Sequence, residues 1–205
     1  MYQVATQVVT RSWGNPADMT NGLGVLLLTW NQAFYRYGEF EFNYLEKTIA
    51  KWLTSLRSFR KRKIESLSEA DFPVIKRVFG DFLESLRVQG KNGEKRRSPV
   101  AAAKALHLLA PSFFPLWDDD ISWAYGCYWY HGNSEASPEK YIEFMKKIKA
   151  NVEQLENNYA RKHQCNKAHA EREILERHPR PNSYLTLVKL IDEYNYSKHH
   201  EGWIT

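Results

Sequence analysis

The sequence predicts an all-α protein, a single multi-helix domain. Three observations carry that expectation. Apolar residues recur at three- and four-residue spacing in one segment after another. Ser98-Pro99, Ser137-Pro138 and Asp71 followed by Pro73 stand where such stripes begin, and a capping side chain with an early proline is a helix start. Period-two alternation is confined to Val4, Thr6 and Val8, and a single short strand is not stable alone.

The elements follow in order. Residues 1–20 read as an N-terminal arm or short strand. Asn21 to Tyr37 is apolar and aromatic nearly all round, which predicts a buried helix. In Phe42 to Phe59, the positions Leu45, Ile49, Trp52, Leu53 and Leu56 share one helical face. A helix from Asp71 through Val74, Val78, Phe82 and Leu86 ends at the Gly90 to Gly93 turn. Ser98 caps a small-residue helix built on Ala101, Ala102, Ala103, Leu106, Leu108 and Leu109, and Pro111 stops it. Asp118 to Asp120 open a helix over Ile121 to Trp129, where acids suit the helix dipole. A long polar helix starts at Ser137 and buries Tyr141, Phe144, Met145 and Ile148. The last helix runs from about Tyr184 to Tyr194. Residues 21–135 then form a helical core, and 136–205 a helical extension packed on it.

Composition narrows the function classes. The 205 residues are 43% hydrophobic and 14% aromatic, which suits a globular core and excludes a disordered chain. Lys and Arg number 29 against 24 Asp and Glu, so the net charge is +5, which permits a polyanionic partner without requiring one. Two cysteines, Cys127 and Cys165, cannot fill a four-thiolate metal site and make no disulfide framework, so a cytoplasmic setting and no cofactor are expected. The longest apolar run, Leu23 to Trp30, falls short of the ~20 residues that span a bilayer, and no basic-then-apolar leader opens the chain. His163, Cys165 and His169 match no zinc spacing, and no metal site is expected.

The stretch 98–126, SPVAAAKALHLLAPSFFPLWDDDISWAYG, resembles the central part of the helix–hairpin–helix DNA glycosylase superfamily. In that family a glycine-bearing hairpin leads into a small-residue helix, then an apolar-Pro-apolar connector, then an Asp that opens the next helix. The connector here is Phe114-Pro115-Leu116-Trp117, and Asp118 takes the place of the family's catalytic aspartate. Val25 to Tyr35 is similar to the family's early helix, with Asn31 and Gln32 at its duplex-facing turn. The sequence departs from the family at the hairpin, where Gly90 and Gly93 are followed by Glu94 to Ser98. It departs again where bifunctional members carry a catalytic lysine, because Val100 stands there. Lys104 lies one turn further along the same face. The resemblance covers roughly residues 20–130 and implies a divergent member that binds DNA and cleaves the N-glycosidic bond of a modified or damaged base.

On that reading Asp118 stabilises an oxocarbenium-like sugar, and Lys104 is an amine nucleophile or its charge partner. Trp30, Trp117, Trp123 and Tyr125 wall a pocket for an extruded base. Lys95, Arg96, Arg97 and Ser98, together with Lys91, form a basic loop at a helix N-terminus, which suits phosphate. The run Arg57, Arg60, Lys61, Arg62 and Lys63 is a second basic cluster. Plainer roles stand beside these: helix capping for Asp118, a salt bridge or a water-reaching amine for Lys104, and a satisfied buried ring for His107. The alternative function is a non-catalytic nucleic-acid or nucleotide-binding module of the same fold.

Overall fold

In the computed structural model the described residues are 2–36, 38–90, 93–130, 133–179 and 181–204, with backbone alone for 33, 38–40 and 90. They are mostly helical. The N-terminal segment corrects the expected arm or strand: it is helix α1, Tyr2–Arg11. Ala5, Thr6 and Val9 are buried on one face while Val4 is exposed, so packing on its neighbour overrides the β-branched composition. That neighbour is α2, Pro16–Trp30, which begins before the expected Asn21 because Asn15 caps it and Pro16 supplies its first turn. The two helices approach closely through Gly22, where an added Cβ would lie 2.8 Å from Val9 Cγ2. The chain breaks at Asn31, and a single turn, α3 (Gln32–Tyr35), follows.

Helix α4 (Phe42–Arg60) and α5 (Phe72–Ser85) match the expected stripes. The link from α5 to the next helix is described except at residues 91 and 92. It holds strands β2 (Val88–Gly90) and β3 (Lys95–Arg96), which join β1 (Gly38–Phe40) in a small antiparallel sheet of order β1-β2-β3. Gly93 has φ +76°, a conformation that favours glycine.

Helix α6 (Pro99–Leu109) runs through the middle of the molecule. Its small residues let α1, α2 and α5 pack around it. All its residues are buried except Val100 and Lys104, the two positions on the face singled out above. Helix α7 is shorter than expected, Asp119–Ala124, and ends at Gly126 with φ +64°. Helix α8 (Ser137–His163) seats Tyr141, Phe144, Met145 and Ile148 against the core as predicted. Helix α9 (Lys167–Glu176) and α10 (Leu187–Asn195) pack back on α8, and α10 runs into a π-helical turn, Tyr196–His200. One buried apolar cluster takes in residues from Ala5 to Ile191. Among the described residues no helix is long and apolar enough to cross a membrane.

A candidate active-site cleft

The cleft is assembled from four parts of the chain. Helix α6 contributes Lys104, the connector contributes Leu116, Trp117 and Asp118, and α2 ends in Trp30. Helix α10 and its π-turn close the far side with Lys189, Asp192 and Tyr196. The hollow measures about 560 Å³, within the range of small-molecule sites.

Each side chain is held by local chemistry. Asp118 is the N-cap of α7, with Oδ1 accepting the Ile121 N–H at 2.8 Å. Capping and the cleft position are therefore both true of it. Burial pushes its carboxyl above the ordinary value, and the Ile121 amide pulls the other way. Lys104 Nζ donates to the Trp30 carbonyl at 2.8 Å and forms no direct ion pair among the described residues. Burial lowers its pKa, opposed by Asp118, Asp192 and Asp119. Trp117 is 1% exposed, packed on Trp129 at 4.4 Å and Tyr141 at 5.4 Å, so its ring is fixed. Its Nε1 is buried with no hydrogen-bond partner among the described residues.

The opposite wall is stacked two rings deep. Trp30, 37% exposed, lies on Tyr2 with 5.6 Å between centroids and 13° between planes. Lys189 Nζ sits 5.2 Å from the Tyr2 ring and 5.6 Å from the Trp30 ring. It is neutralised by Asp192 at 2.5 Å and Glu193 at 3.8 Å. Burial raises the Asp192 pKa against the pull of Lys189. Beneath this wall lies His107, fully buried. Its Nδ1 is 2.8 Å from the Phe114 carbonyl, which only accepts, so the proton is on Nδ1. Nε2 then accepts from the Tyr2 hydroxyl, also at 2.8 Å.

The other expected residues lie elsewhere. Trp123 is 55% exposed and stacks on Tyr128, outside the cleft, because α7 turns it outward. Tyr125 lines a different hollow, between α8 and α10. Ser98 is buried, and its hydroxyl oxygen accepts the Ala101 N–H at 3.1 Å and Asn31 Nδ2 at 3.2 Å, which makes it the N-cap of α6. Asn31 is thereby tied to the start of α6, while Gln32 is exposed. Lys95 and Arg96 are exposed on β3, Arg96 lying 3.6 Å from Glu94. Arg97 is paired with Glu84 and, at 3.8 Å, with Glu135. Lys91 lies outside the described residues.

The second basic cluster is partly structural. Arg60 donates to the Leu109 carbonyl and to Thr10, Arg62 grips Asp71 with both nitrogens, and Lys63 pairs with Glu171. His163 stacks on Tyr159, and His169 faces Glu173 at 3.2 Å, so they do not converge with Cys165. Among the described residues no group of three metal-binding side chains occurs.

Sequence reasoning missed the α10 contribution. Lys189, Asp192 and Glu193 at i, i+3 and i+4 read as an ordinary surface ion pair. Their position beside Leu187, Val188 and Ile191, all buried, was the available signal. Compared with known proteins, the chain matches no family model, no curated protein and no solved structure.

Proposed function

We propose that the chain binds DNA and cleaves the N-glycosidic bond of a modified or damaged base taken up in this cleft. The observation that carries the reading is that Lys104 and Asp118 face one hollow between two tryptophans without closing on each other as an ion pair. An extruded base stacks on Trp30, whose other face is already backed by Tyr2. As the C1′–N bond breaks, its electron pair leaves with the base, and Lys104 supplies a proton to the departing nitrogen. Positive charge then develops on C1′ and O4′, and the Asp118 carboxylate stabilises it. A water attacks C1′ and passes its proton to Asp118, giving the free base and an abasic sugar. The Asp118 oxygen that caps α7 fixes the carboxylate, so the geometry is set before substrate arrives.

The test uses duplexes carrying a panel of lesions, followed by alkali to reveal abasic sites. Strand breakage is expected for at least one lesion, and Asp118→Asn is expected to slow it by about 10²–10³. Lys104→Met is expected to slow it as well, with Trp30→Ala weakening substrate uptake. No breakage with any lesion, or breakage indifferent to Asp118→Asn, ends the reading.

A second reading is favoured by Arg97, whose charge is taken up by Glu84 and Glu135 rather than left for phosphate. On that reading the chain is a nucleotide-binding module that holds a single nucleoside unit and not a strand. Affinity for undamaged duplex against salt separates the two: a strand binder loses affinity steeply as salt rises, and a nucleoside binder shows a slope near zero.

A further inference from the structure

A second hollow, about 630 Å³, lies between α8 and α10 and shares only Glu193 and Ser197 of its lining with the cleft. Its floor is apolar, formed by Leu155, Leu190 and Ile191. Its lining includes four side-chain amides, Asn151, Gln154, Asn158 and the buried Asn195, as well as Tyr125. The Tyr125 hydroxyl accepts from Asn151 Nδ2 at 2.8 Å and donates to Asn195 Oδ1 at 3.0 Å. Asn151 is left with its carbonyl oxygen and one N–H, and Asn195 with its amino group. Neighbouring donors and acceptors are thus fixed in place before anything binds. The acidic and basic groups lining the hollow are Glu193 and His178, which face each other at 3.0 Å. Arg161, outside the lining, donates to Asn158 Oδ1 at 3.0 Å.

We propose that this groove is a second binding site, and that its ligand is an uncharged nucleobase, carried by a nucleoside or by a single strand. A planar ring with an apolar face covers the leucine and isoleucine floor. Its edge presents donor beside acceptor, the pattern that Asn and Gln amides match in pairs. Among the described residues the lining holds no lysine or arginine, so recognition rests on the amides and the apolar floor. This proposal does not rest on bond cleavage in the cleft, and failure of either leaves the other standing.

The test is calorimetry and saturation-transfer NMR on the full chain. The probes are adenosine, cytidine and uridine, with a methyl glucoside as a polar control and a short oligothymidylate as the strand. At least one nucleoside or the oligonucleotide is expected to bind, and the glucoside is not. Asn151→Ala, or Gln154→Leu at an exposed position, is expected to weaken binding by about tenfold, the worth of one good hydrogen bond. Trp30→Ala, in the cleft, is expected to leave this binding unchanged. Binding by nucleosides assigns the free ligand as a source; binding by the oligonucleotide alone assigns the strand. The proposal falls if no base-bearing probe binds, if the glucoside binds equally well, or if Trp30→Ala removes the binding while both groove variants leave it intact.

Discussion

Tyr2 donates its hydroxyl proton to Nε2 of His107, 2.8 Å away and far along the chain, and so ties the first helix to the central one. The bond requires a neutral ring, because His107 already spends its Nδ1 proton on Phe114. Burial holds the His107 pKa down, from 6.5 to about 3.

The sign of the resulting pH dependence is fixed. The unfolded chain takes up a proton below about pH 6.5 and the folded chain does not, so acid favours unfolding. The contribution is fully present above that value and is lost progressively as pH falls towards about 3. Between pH 7 and pH 5 this one ring is expected to remove roughly 2 kcal/mol of stability. Urea unfolding at the two pH values measures it, and His107→Gln is expected to flatten the dependence. Equal slopes for both proteins would refute the assignment.

Arg62 and Asp71 give the opposite case. Two hydrogen bonds of 2.7 and 2.8 Å join them, and the Arg62 guanidinium holds the Asp71 carboxyl down to about 2. Their stabilisation is present above the ordinary carboxylate range and is lost as pH falls through about 2. Asp71→Asn is expected to cost about 1–2 kcal/mol near neutrality, allowing for partial solvent screening. The gap between the two proteins is expected to narrow in strong acid. A constant gap at every pH would show that the pair is not its source.

Two glycines in helices are expected to respond in opposite senses. At Gly22 a Cβ would meet Val9 Cγ2 at 2.8 Å and the Val9 backbone nitrogen at 3.1 Å, so Gly22→Ala forces α1 off α2 at about 1–3 kcal/mol. At Gly80, inside α5, nothing lies within 4 Å of the added carbon. Gly80→Ala is expected to stabilise by about 0.5–1 kcal/mol through helix propensity. Thermal midpoints that move in the same direction for both would contradict the close approach of the first two helices.

Ser98 positions the cleft although it does not enter it. Its hydroxyl caps α6, the helix that carries Lys104, and holds Asn31, the residue after Trp30. Ser98→Ala is expected to cost about 1–2 kcal/mol. It is also expected to change the Trp30 fluorescence environment, whereas Ser98→Thr keeps the hydroxyl and changes little. Unaltered emission in the alanine protein would show that the cap and the tryptophan are independent.

Much of this arrangement was legible in the sequence because it depends on local signals. Ser98-Pro99 marks the start of α6, and the Tyr141 to Ile148 stripe marks the buried face of α8. Lys104 and Asp118 line one cleft, but the expectation of a shared site came from the resemblance of residues 98–126 and not from local spacing. What stayed hidden depends on distant contacts. Val4, Thr6 and Val8 alternate as a strand would, and only docking on α2 makes them helical. Trp117 and Trp123 are alike as letters, yet one is enclosed by Trp129 and Tyr141 and the other faces solvent. The small sheet pairs segments too short to show a pattern. The wall supplied by α10 is invisible until the chain has folded back on itself.

That folding back governs when the cleft first exists. Lys189, Asp192 and Tyr196 leave the ribosome after Asp118, so the wall that α10 supplies is the last part of the cleft to be synthesised. A premature stop before α10 removes that wall altogether.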